Sequence, residues 1–245
     1  MGARRVHQIE KVEETFMDPT PKGLRILSWV TAALFAVALY LVFFYAPLEA
    51  VMGEVQRVFY FHVAAGWVGA MAFLVTAIAG GIYLAGKNRR WDRLAVASVE
   101  IGIVFTLINI LSGSIWARPI WNTWWTWDAR LTSTLVLWFI YIGYMMLRSY
   151  TPDPERAARL GAVVGIVGFL DIPIVHFSVQ WWRTLHPEPI VVRSSPQAPP
   201  EMLATLAVCL VAMMLVYLLL MVHRTRLEGA SDEIRRLAAV EGSLA

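Results

Sequence analysis

Charge is scarce in this sequence. Only 16% of its 245 residues are Asp, Glu, Lys or Arg, where a soluble domain carries about 25%. That shortage excludes a disordered chain, a long coiled coil and most soluble enzymes. The net charge of +3 is too small for a nucleic-acid-binding module, although the isoelectric point is near 9.2. Cysteine is nearly absent as well. Cys209 stands alone, so no disulfide framework and no CxxC site can form. No fixed-period repeat marks a solenoid or propeller.

Apolar residues fill the gap. They make up 58% of the chain, against about 45–50% in ordinary domains. A helix needs about 20 mostly apolar residues to span a bilayer. Six runs qualify, at about 24–46, 59–85, 94–115, 131–147, 158–177 and 202–222. They are too long and too continuously apolar for barrel strands, so the fold class predicted is an all-α integral membrane protein with six transmembrane helices. The first run follows a long polar stretch without a small-residue cleavage site and reads as a span rather than a signal peptide.

The chain divides into a polar segment at 1–23, a six-helix domain at 24–222 and a tail at 223–245, where about 231–239 suits either a short cytoplasmic helix or a frayed end. With both termini on one side, that side holds 16 of the 21 Lys and Arg, and the other holds Arg57, Arg118, Arg130, Arg183 and Arg193. The positive-inside rule predicts cytoplasmic termini and outer-face loops at about 47–58, 116–130 and 178–201.

The middle outer loop is rich in tryptophan. Trp116, Trp121, Trp124, Trp125 and Trp127 fall within twelve residues. One or two Trp at this level suit an interfacial belt. Five, spaced by Pro119 and small polar residues, suit a platform for a flat ligand. The flanking loops bring His62 and His186 to the same face. Haem has matching needs: imidazole for its iron, flat apolar walls for its ring, and Arg forks for its propionates. Arg57, Arg118, Arg130 and Arg183 are at hand. Zinc fits less well, because the face offers only two His and Asp128 where three or four close ligands are usual. Covalent haem on this chain is excluded by the lack of CxxCH.

Other residues carry open alternatives. Positions 62, 65, 66 and 69 share a helix face and read His, Ala, Gly, Gly, which suits either a flat ligand or a close helix neighbour. Glu100 and Asp171 lie within spans, where ionisable groups default to function. Asp171 has a second explanation: it can satisfy backbone groups freed by Pro173 or pair with another helix. His176 is a ligand candidate ranked below His62 and His186. Cys209 reads as packing.

The segment from Trp121 to Thr132, WNTWWTWDARLT, resembles the tryptophan-rich WWD signature of the cytochrome c assembly superfamily. The segment SVQWWRTLHP at 178–187 and the six spans are similar to the CcmC-type haem-handling proteins of cytochrome c maturation. The resemblance covers about residues 25–222. It implies non-covalent, transient binding of haem b at the outer face of the bacterial inner membrane. His62 and His186 are then the axial ligands, the platform is Trp121, Trp124, Trp125, Trp127 and Asp128, and Arg57 serves a propionate. The implied partners are the lipid bilayer, a membrane-anchored haem chaperone of the CcmE type, an ABC transporter ATPase and permease, and a small single-span subunit of the CcmD type. No nucleic acid is implied. The function expected is delivery of haem to the chaperone without bond-making chemistry. The rival is an enzyme, a compact haem lyase that joins haem to apocytochrome c. Two positions depart from the family pattern. Asn122 replaces Gly, and Asn tolerates positive φ better than most residues. Pro187 follows His186 and removes a backbone donor.

Overall fold

The computed structural model describes residues 21–182, 184–186 and 198–242. Arg183, Pro187, Arg193 and the polar stretch before residue 21 lie outside the described residues. The described chain is all-helical: α1 (Lys22–Tyr40), α2 (Val58–Gly86), α3 (Arg89–Trp121), α4 (Ala129–Ser149), α5 (Pro154–Phe169), α6 (Asp171–Trp181) and α7 (Pro200–Gly242). Six stretches are long and apolar enough to cross a membrane, with α5 and α6 together forming the fifth.

Helices α2 and α3 form the central pair. On one side they pack against α7, on which α1 packs in turn, around Val42, Tyr60, Val68, Cys209 and Tyr217. On the other they meet α4 and α5, with α6 packed against α4, around Phe73, Val99, Leu137, Tyr141 and Tyr144. The Phe73 and Tyr141 rings stack with centroids 3.7 Å apart. Apolar side chains also cover the outside, including Trp29 and Phe44, which are nearly four-fifths exposed. Lipid is the solvent that makes such a surface stable. The Ala65, Gly66 and Gly69 stripe faces α3. A Cβ on Gly66 would lie 2.9 Å from Asn109 Nδ2, and one on Gly69 would lie 2.8 Å from Thr106 Oγ1. Close helix packing is therefore its use.

The element boundaries differ from the sequence expectation in three places, each for a local reason. The fifth span breaks at Leu170, because Pro173 has no N–H and fits only the first turn of a new helix. Helix α3 runs through Pro119 to Trp121, so the Trp loop loses its first half to helix. It ends at Asn122 with φ 53°, the left-handed conformation that Asn was expected to accept. Helix α7 continues past the sixth span in place of a separate tail helix. At about 1.5 Å per residue its length is roughly twice the hydrocarbon thickness.

Candidate functional site

His62 lies in the second turn of α2, against α3. Its Nδ1 is 3.0 Å from the Asn109 carbonyl oxygen and 3.2 Å from Ser112 Oγ. The Asn109 amide Nδ2 donates to the His62 carbonyl at 2.9 Å. Gly113 makes room for the ring, since a Cβ there would lie 2.9 Å from His62 Cε1. A carbonyl oxygen can only accept, which favours the tautomer with the proton on Nδ1 and the lone pair on Nε2, although the Asn109 amide Nδ2 also lies 3.3 Å from Nδ1. Trp116 meets the same imidazole edge-on, with centroids 5.8 Å apart.

His186 arrives from the far end of the sequence, beyond the end of α6. Its backbone N–H donates to Thr184 Oγ1 at 3.0 Å. The His62 and His186 ring centroids are 6.5 Å apart, with planes tilted by 35°. Two imidazoles facing each other across one iron, with bonds of about 2 Å and ring centres about 1.1 Å beyond each nitrogen, would have centroids about 6 Å apart. The observed spacing fits that arrangement. His176 meets Phe177 edge-on, with ring centroids 5.0 Å apart.

The Trp segment folds as a short irregular link from α3 to α4. Trp124 and Trp127 are mostly exposed, at 58% and 76%, while Trp121 and Trp125 are half-buried. Trp125 and Trp127 meet edge to face at 5.8 Å. The hydroxyl of Thr123 donates to the Trp125 carbonyl and turns the chain. Asp128 caps α4. Its Oδ1 accepts from Leu131 N at 3.0 Å and its Oδ2 from Thr126 Oγ1 at 3.1 Å. Its carboxylate therefore ties the Trp segment to the first turn of α4.

The arginines separate into two kinds. Arg57 donates to the Val42 carbonyl, released where α1 ends in a π-turn at Leu41–Tyr45, and to Glu54. Its guanidinium also lies 5.8 Å from the Phe43 ring centre. Arg118 donates to Asn122 and stands over Trp124. Both have hydrogen-bond partners within the protein. Arg130 is different. Its Nη1 is buried without a hydrogen-bond partner, and it lies within Coulombic range of His62, as does His186. The indole N–H groups of Trp116 and Trp125 and the Thr132 hydroxyl are also buried and unpartnered. Unmet buried donors are costly. Their concentration between residues 116 and 132 suits a ligand that brings acceptor oxygens, as haem propionates do.

Sequence reasoning missed Asn109, Ser112 and Gly113. Their signal is faint: two small polar residues and a glycine in an otherwise apolar span, which only the α2–α3 contact explains. Glu100, flagged as a functional residue by its depth, pairs with Arg224, which also reaches Glu228 at 2.7 Å. A cleft of about 250 Å³ lies at that opposite end of the bundle. Its charges are largely engaged with each other: Arg148 meets Asp92 at 2.7 and 3.1 Å, and Arg89 meets Asp92 at 3.1 Å. Asp171 satisfies neither explanation in full. It opens α6 without capping it, and its Oδ2 is buried without a partner.

The family described as heme exporter protein C matches residues 7–240 of the chain. A heme exporter protein C of Bradyrhizobium diazoefficiens is 36% identical over 223 residues, covering 89% of this chain and 84% of that protein. One from Haemophilus influenzae is 30% identical over 212 residues, 86% of each chain. One from Escherichia coli K12 is 39% identical over 144 residues, 59% of each chain.

Proposed function

The chain belongs to the heme exporter protein C family, and on that premise we propose that it holds haem between His62 and His186 and passes it to a membrane-anchored haem chaperone. It is a multi-pass membrane protein of haem handling for cytochrome c maturation. The observation that carries the finer reading is the 6.5 Å separation of the two imidazoles beside the unmet donors of Trp116, Trp125 and Arg130.

Haem is the cargo. The Nε2 lone pair of His62 and an imidazole nitrogen of His186 ligate its iron, and two neutral imidazoles favour the ferric state. Arg130 receives a propionate, for which its guanidinium supplies charge-assisted donors. The half-buried Trp121 and Trp125 wall the ring, while Trp124 and Trp127 stay open to the side from which a partner approaches. No bond in the porphyrin need be made or broken. The site faces the periplasm across the inner membrane. An ABC transporter ATPase, its permease and a small single-span subunit complete the assembly.

The test is the absorption spectrum of the purified protein with its natural haem, beside His62→Ala and His186→Ala. The parent should be low-spin, and each variant should lose that spectrum. A parent that contains no haem and refuses added hemin would sink the proposal.

A further inference from the structure

Helix α6 carries a second aromatic surface, which the paired histidines do not use. Its inner face is settled. Ile172 and Val175 pack against the Tyr141 cluster, and the Ser178 hydroxyl donates to the Val175 carbonyl at 2.8 Å. The opposite face is open. Ile174, Phe177 and Trp181 share it at helical spacing and are 41%, 39% and 56% exposed. The Phe177 and Trp181 rings stack, with centroids 5.6 Å apart and planes tilted by 27°. Trp182 continues the row, edge-on to Trp181 at 5.7 Å. His176 adjoins it at the other end, edge-on to Phe177. This imidazole is half-buried, and neither ring nitrogen has a hydrogen-bond partner among the described residues.

Trp181 and Trp182 alone would suit an interfacial belt. His176 changes that reading. Trp181 ends the fifth span, and at about 1.5 Å per residue His176 lies about 7.5 Å further into it. A belt needs no imidazole at that depth, and a polar ring without a hydrogen bond is costly there. An imidazole beside stacked flat rings is instead a set that suits a metalloporphyrin. Haem dissolved in one leaflet keeps its ring among the acyl chains and its charged propionates at the headgroups. The row covers that same range of depth, and the chain runs on from Trp182 to His186.

We propose that the lipid-facing row of His176, Phe177, Trp181 and Trp182 is an entry site that takes haem from the bilayer and passes it to His62 and His186. This rests on the reading of those two histidines as ligands. The flat rings receive the porphyrin, and a nitrogen of His176 gives its electron pair to the iron. On transfer that Fe–N bond breaks and the pair returns to His176. Pairs from His62 and His186 make the new bonds, and the iron keeps its oxidation state.

The test uses the full-length protein in phospholipid vesicles to which hemin is added. His176→Ala and Trp181→Ala should each slow the growth of the low-spin spectrum about tenfold and approach the parent's endpoint. At a fixed hemin-to-lipid ratio, diluting the sample should leave the parent's loading rate unchanged. The double variant His62→Ala/His186→Ala should keep a weakly held high-spin hemin, which adding His176→Ala removes. Parent-like loading rates in both single variants would overturn the inference. So would a loading rate that falls with dilution, which would mean that haem arrives from water. Hemin in the double variant that does not depend on His176 would overturn it too. The single variants lie on an open helix face, so they decide the matter even if the double variant fails to fold. Loss of the low-spin endpoint in His176→Ala, or its survival in both His62→Ala and His186→Ala, would instead remove the ligand pair itself.

Discussion

At the Arg148 end of the bundle, Arg148 grips both oxygens of Asp92 and Arg224 bridges Glu100 and Glu228. At the His62 end, Trp116, Trp125 and Arg130 hold buried donors with no partner. Both ends bring polar groups into an apolar bundle. One end settles its charges internally, which ties α3 to α4 and α7. At the other, several unmet donors lie between residues 116 and 132, beside His62 and His186, while the Arg148 end leaves the Tyr144 hydroxyl unmet. Internal pairing is what a structural network needs, and unmet donors are what a ligand site can use. Depth in the membrane alone does not separate the two, as Glu100 shows.

Removing a partner should therefore act on stability at one end and on haem at the other. Asp92 is 4% exposed, so Asp92→Ala strands a buried Arg148 cation. The expected cost is about 3–5 kcal/mol, read as a lower unfolding temperature in detergent, with an unchanged haem spectrum in the protein that remains folded. Equal loss of stability and haem ligation would blur the distinction between the ends. Arg130→Gln should do the reverse. Haem affinity falls about tenfold or more, as expected for a lost charge-assisted hydrogen bond, while the unfolding temperature holds or rises. Hemin titration and thermal melts separate these outcomes. Asp128 gives the smallest and most discriminating effect. If it acts as the cap of α4, Asp128→Ala costs about 1 kcal/mol while Asp128→Asn costs only a few tenths. A large haem defect in the Asn variant would show that the carboxylate itself serves the ligand.

The sequence carried the six spans plainly, because a bilayer demands long apolar runs and little else imitates them. His62, His186 and the Trp segment were visible because their residue types are unusual at a membrane boundary. The positive φ at Asn122 was also foreseeable from residue preference. What stayed hidden depends on contacts between distant residues. Nothing near Arg57 announces that it will reach the Val42 carbonyl, 15 residues earlier. Asn109 and Ser112 read as minor interruptions of a span until α3 is set against α2. Glu100 gave a signal of its own, yet Arg224, 124 residues away, decides its meaning. Pro173 was visible, but its effect depended on whether the helix would bend or restart.

The most direct measurement is an experimental structure of the haem-loaded protein in a lipid nanodisc. The account predicts iron between His62 Nε2 and an imidazole nitrogen of His186, at about 2 Å from each, with His62 Nδ1 still against the Asn109 carbonyl and Arg130 on a propionate. Iron bound away from either histidine, or haem seated at the Arg148 end, would contradict it.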